Sequence, residues 1–247
     1  MNVYDLEVDA DVRKRAEARP TLAGLDGCRA GWVAVVKDGV MITTRILRTD
    51  DDLLALLARC AVVAIDIPIG LTEKDARGCD VQARRMAGSR GSSVFPAPIR
   101  PVIALRDYVE ANRVSREHQD RGMSKQAFAI CPKVHQIDQL LQQNTWARDR
   151  MYEIHPEVTF NAWNRAPLDA SKHTASGRAA RHALAAAHFG DDVVDHALAE
   201  TRGIAKSDDV LDAFAALWTA ERIAHGESRE LTDGRMDGVG LPMRIVY

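Results

Sequence analysis

Four aspartates carry the first chemical signal in this 247-residue chain. Asp26 closes the short apolar run that begins at Thr21, and it precedes Gly27. Asp66 follows Val62-Val63-Ala64-Ile65 and precedes Ile67-Pro68, where a carboxylate is costly to bury without a partner. Asp209 and Asp212 lie three residues apart, so a helix puts them on one face. Asp208 needs only the helix macrodipole to explain it, but Asp212, between Leu211 and Ala213, lies beyond the capping positions. Ionised carboxylates gathered in one place require positive charge, and a hard divalent cation supplies it. Mg²⁺ and Mn²⁺ take oxygen ligands and retain waters for substrate. Two such ions about 3.5–4 Å apart activate a water and stabilise the leaving oxygen of a phosphodiester. Asp26, Asp66, Asp209 and Asp212 are therefore the expected metal ligands and catalytic residues. Glu153, His155 and Glu157 alternate, so a continuous strand sets them on one face. There Glu153 is a candidate further ligand or base for water, and His155 a proton shuttle or phosphate donor. Lys133, Arg84, Arg85, Arg90 and Arg100 are candidates for binding phosphate oxygens.

These residues must be positioned by an α/β framework. Thr21–Asp26, Trp32–Val36 and Val40–Leu47 read as three consecutive strands, and the Asp38-Gly39 step is a hairpin signal. Asp50 or Asp51 is the expected cap of a helix over 52–59. The apolar run 61–69 suits a strand buried on both faces, hence a central parallel strand. If it lies beside the first strand, Asp26 and Asp66 share one sheet edge about 5 Å apart. Further on, 75–86, 104–112 and 133–143 are expected helices, and the proline-rich stretch 92–101 is an extended loop. Met151–His155 reads as a fifth strand. The spans 176–189 and 192–201 read as helices. A last helix is expected over 208–225, with Ser207 as its N-cap and Gly226 as its stop. The expectation is one α/β domain over 21–247: a mixed five-stranded sheet of three antiparallel strands and then parallel ones, flanked by helices, with a large insertion at about 71–132. Residues 1–20 read as an N-terminal extension.

Composition sets the outer bounds. Hydrophobic residues make up 46% of the chain and charged residues 28%, as in ordinary globular proteins. The net charge of −2 gives no global argument for nucleic acid. Locally, 77–133 holds 11 Lys/Arg against 5 Asp/Glu, whereas 191–212 holds 7 acids against 2 bases. That pattern is either a cationic groove around an anionic centre or two solvated faces of opposite sign. Cys28, Cys60, Cys79 and Cys131 form no C-x-x-C pair and fit no zinc template. They read as reduced, mostly buried thiols of a cytoplasmic protein. No apolar run approaches the ~20 residues of a membrane span. Phosphate-loop, H-E-x-x-H and G-x-G-x-x-G patterns are absent, and Ser92-Ser93 lacks the G-x-S-x-G setting of a serine hydrolase.

The placement of acids at element ends resembles the RNase H-like superfamily, in particular its Holliday-junction-resolvase branch. More narrowly, the chain resembles the DUF429 family of predicted RNase H-fold nucleases. The segments that carry this are Gly24-Leu25-Asp26-Gly27-Cys28-Arg29-Ala30-Gly31-Trp32, Ile65-Asp66-Ile67-Pro68-Ile69-Gly70-Leu71, Cys79-Asp80 and Ser93-Val94-Phe95-Pro96-Ala97-Pro98. Pro132-Lys133, Tyr152-Glu153-Ile154-His155-Pro156-Glu157, Lys172, Gly177 and Asp208-Asp209-Val210-Leu211-Asp212-Ala213 continue it. The resemblance spans about 21–247. It implies an RNase H-like fold and adds Lys172 to the candidate phosphate-binding residues. The function expected is metal-dependent hydrolysis of DNA or RNA phosphodiesters with Mg²⁺ or Mn²⁺. The alternatives are a non-catalytic binding module on the same scaffold and a nucleotide-binding phosphotransferase related to the actin-like kinases. The expected partner is nucleic acid, with no membrane, and homodimer formation stays open.

Overall fold

The computed structural model describes residues 20–168 and 170–247. The N-terminal extension, up to Arg19, lies outside the described residues. Strands β1 (Leu22–Cys28), β2 (Gly31–Asp38) and β3 (Met41–Leu47) form an antiparallel meander. β4 (Val62–Ile65) lies parallel to β1, and β5 (Met151–Glu153) lies parallel to β4. The sheet order is β3-β2-β1-β4-β5, the mixed five-stranded arrangement expected.

Alternation along the strands divides the side chains between two packed faces. Leu25, Trp32, Ala34, Val63 and Ile65 point into one core. Helix α1 (Asp50–Arg59) covers it with Leu53, Leu56 and Leu57. Two further helices, α2 (Gly78–Met86) and α3 (Tyr108–Gln119), precede α4 (Lys125–Gln143), which brings Val134, Ile137 and Leu141 onto that same core. Val33, Val35, Val62 and Ala64 point the other way. There they meet residues of α5 (Pro156–Asn164), α6 (Ala175–Phe189), α7 (Asp191–Glu200) and α8 (Ser207–Ala224). A separate hairpin of β6 (Glu230–Met236) and β7 (Pro242–Val246) packs beside α2.

Several local expectations change. Thr49, rather than Asp50 or Asp51, caps α1: its hydroxyl accepts the Asp52 N–H, and the Asp52 carboxylate accepts the Thr49 N–H, a reciprocal capping box. α4 begins at Lys125, because the helix runs through Pro132 and gives up one backbone bond there. α3 starts at Tyr108 and ends at Gln119, later than expected at both ends, with the Asp107 carboxylate as its cap. The stretch 92–101 is not wholly extended: 3₁₀ turns occupy Gly88–Ser93 and Arg100–Val102. Lys206 is the N-cap residue of α8, and Ser207 is its first helical residue. β5 stops at Glu153, and Pro156 opens a helix with His155 as its cap. Glu153, His155 and Glu157 therefore do not share a strand face.

Candidate metal centre

Register sets the first two carboxylates side by side. Leu25 is opposite Ile65, and the Asp66 N–H donates to the Leu25 carbonyl at 3.0 Å. β1 runs on to Cys28 rather than ending at Asp26, so Asp26 within β1 and Asp66 just past the end of β4 lie side by side at the same edge. The third carboxylate arrives on α8, and Gly24 is what lets that helix approach. A Cβ at Gly24 would stand 2.0 Å from the Leu217 nitrogen and 2.2 Å from the Ala213 oxygen, so strand and helix meet backbone to backbone. Ala213, Ala216 and Ala220 keep the rest of the contact thin, and all are fully buried. Asp26, Asp66 and Asp212 consequently each offer an oxygen within 4.8 Å of the others.

This proximity is electrostatically expensive. Burial raises the Asp26 pKa well above the usual carboxylate range, and the neighbouring Asp66 and Asp212 charges raise it further. Burial and then Asp212 push Asp66 up to about 8. Burial also raises Asp212, against the pull of Lys172. The Lys172 ammonium donates to Asp212 Oδ2 at 2.6 Å. Burial disfavours that ammonium, but Asp212 and Asp66 outweigh the cost and raise its pKa. Asp212 Oδ1 is buried with no hydrogen-bond partner. Natural structures rarely leave such an atom unmatched. Three converging carboxylates, one with an orphaned oxygen, are a hard-oxygen donor set suited to Mg²⁺ or Mn²⁺.

The loop bearing Lys172 is pinned from several sides. Thr174 Oγ1 donates to the Ser171 carbonyl at 2.8 Å, and Arg90 reaches the Ser171 hydroxyl at 3.4 Å. Arg181, 1% exposed, donates to the Ala170 and Gly177 carbonyls and to Glu157. At Gly177 an added Cβ would stand 2.0 Å from the Ser171 oxygen.

The other expected site residues have different placements. The Asp209 carboxylate turns back to accept the Lys206 N–H at 3.0 Å and does not join the three. Glu153 is gripped by Arg77 through contacts of 2.6 and 2.7 Å and also accepts the Ile69 N–H. Burial raises its pKa to about 7. Its oxygens are taken up by these partners, so it stands beside the cluster and not within it. His155 Nδ1 accepts the Glu157 N–H at 3.2 Å, and burial lowers its pKa to about 4, leaving it neutral near pH 7. The Lys133 ammonium donates to the Gly31 carbonyl and lies 4.5 Å from the Trp32 ring centroid. Its stem runs over Gly27, next to Asp26. Arg84 and Arg85 are exposed on the last turn of α2. Arg90 and Arg100 are held in ion pairs, with Glu157 and with Asp138 and Asp237 respectively.

Sequence reasoning missed Arg77 and Arg181. Arg77 is 2% exposed and binds Glu153, Asp80 and the Ile69 and Gly70 carbonyls. Asp80 in turn accepts the Ala97 N–H, tying the proline-rich loop to the sheet edge. The usable signal was the pair of buried glutamates itself, since each requires a cation. The four cysteines are buried and unbridged, and among the described residues no helix is long and apolar enough to cross a membrane.

A family model described as a protein of unknown function, DUF429, matches residues 24–236. No curated protein matches the chain, and no solved structure does.

Proposed function

The chain belongs to the DUF429 family, and from that premise we propose that it is a metal-dependent nuclease built on an RNase H-like core. The observation that carries the proposal is the convergence of Asp26, Asp66 and Asp212 within 4.8 Å, with Asp212 Oδ1 left unpartnered. Bound Mg²⁺ or Mn²⁺ supplies Lewis acidity and a water of lowered pKa at this edge. Asp26 and Asp66 would hold the ion from the two strands, and Asp212 would hold it from α8. Lys172 holds the Asp212 carboxylate in place and contributes a positive charge near a phosphoryl oxygen. Lys133, beside Asp26, directs its ammonium to the turn that follows β1. Arg77 and Arg181 neutralise Glu153 and Glu157, which keeps the polar surroundings of Asp66 rigid. The exposed cations of the segment between β4 and α4, among them Arg84, Arg85, Arg116 and Arg121, suit a phosphodiester backbone. Four buried unbridged thiols agree with a reducing, cytoplasmic setting.

The test is cleavage of a panel of structured and single-stranded DNA and RNA with Mg²⁺, Mn²⁺ or EDTA. Cleavage that requires the metal and disappears in Asp66→Asn supports the proposal. Absence of cleavage across the panel, or full activity in Asp66→Asn, rejects it.

A further inference from the structure

We infer that Lys172 supplies the positive charge of a second cation, so that the carboxylate centre takes one divalent ion per chain rather than two. The inference rests on the metal-centre reading above and narrows it. The charge balance is direct. Asp26, Asp66 and Asp212, when ionised, and the Lys172 ammonium sum to −2, which one divalent ion neutralises. A second ion would leave the centre at +2 in a largely buried setting, where unbalanced charge is strongly unfavourable.

The neighbouring acids do not alter this balance. Glu153 and Asp80 share Arg77, Glu157 has both Arg181 and Arg90, and Asp209 is offset by Lys133, which lies near Asp26 and Asp209, so the four surrounding acids are matched by four cations.

Geometry removes Asp212 as a bridge between two ions. A carboxylate readily bridges two ions by giving one oxygen to each. Asp212 has one oxygen held by Lys172 at 2.6 Å and the other without a partner, so it has a single oxygen to offer. Lys172 is not loosely placed either. Arg181 fixes the Ala170 carbonyl, Thr174 fixes the Ser171 carbonyl, and Gly177 packs against the same oxygen. The loop presents its ammonium to Asp212 as a fixed counter-charge.

The experiment is calorimetric and spin-resonance titration of the full, EDTA-stripped chain with Mn²⁺, read as ions bound per chain. Wild type is expected to bind one. Lys172→Met removes the charge at similar volume; its first ion is expected to bind about tenfold tighter or more, from the lost repulsion, and a second ion is expected to appear. Lys172→Arg keeps the charge and is expected to stay at one. Two ions on wild type overturn the inference while leaving the metal centre intact, and this arm needs no variant to fold. A folded Lys172→Met that still binds one ion with unchanged affinity also overturns it. Absence of Mn²⁺ binding to wild type removes the metal-centre reading itself, and the inference falls with it.

Discussion

Asp66 shows how strongly the centre is organised against its own stability. Its pKa moves from 3.8 to about 8, so between those values the folded chain holds a proton that the unfolded chain releases. Its contribution to stability is therefore most favourable at low pH, declines as pH rises through this window, and is least favourable above pH 8. Asp66→Asn removes the effect. In metal-free buffer the Tm of the variant relative to wild type should climb between about pH 5 and about pH 8.5. Added Mn²⁺ should raise the Tm of wild type alone. A Tm difference that does not change with pH contradicts the assignment. Arg77 makes the opposite case. Arg77→Met leaves Glu153 and Asp80 buried without their cation, and urea unfolding should show a loss of about 3–5 kcal/mol. Lys at 77 should not restore it, because the grip on Glu153 is two-pronged. At this scale the acids were legible in the sequence, since Asp66 and Asp212 interrupt apolar stretches. The cations of Glu153 and Glu157 were not: Arg77 and Arg181 reach those glutamates from distant segments, and no local pattern marks the pairing.

At the scale of elements, the centre depends on how closely α8 approaches β1. Gly24→Ala would drive a methyl into the α8 backbone. The expected loss is about 1–3 kcal/mol from overpacking, accompanied by weakened Mn²⁺ binding as Asp212 shifts. Chemical denaturation and metal titration on the same sample check both. Unchanged Mn²⁺ affinity would separate the helix from the site. The meander and the parallel placement of β4 were readable because their alternation and unbroken apolar runs obey simple periods. Element ends were less so. The helix α4 absorbs Pro132, which locally signals a stop. Strand β5 is only Met151–Glu153, and it yields to Pro156, so the alternation of Glu153, His155 and Glu157 had no strand to act on. The β6–β7 hairpin escaped notice because β6 is largely exposed and its pairing shifts register between Thr232 and Met236, which erases a period-two pattern.

Across the whole molecule, the net charge of −2 conceals a division of labour. Much of the basic excess between Arg77 and Lys133 is internal or paired: Arg77 with Glu153, Arg100 with Asp138 and Asp237, and Arg113 with Glu110 and Glu117. The acidic segment is likewise divided, with Asp212 at the centre and Asp209 turned to a helix end. Local charge counts therefore overstated the open cationic surface, while the position of the acids along the chain led directly to the sheet edge where three of them meet. The central claim is that this edge holds a catalytic divalent ion. The most direct measurement is anomalous diffraction from crystals of the protein soaked in Mn²⁺. The account predicts a manganese peak bounded by Asp26, Asp66 and Asp212. Absence of a peak there at saturating Mn²⁺ would contradict it.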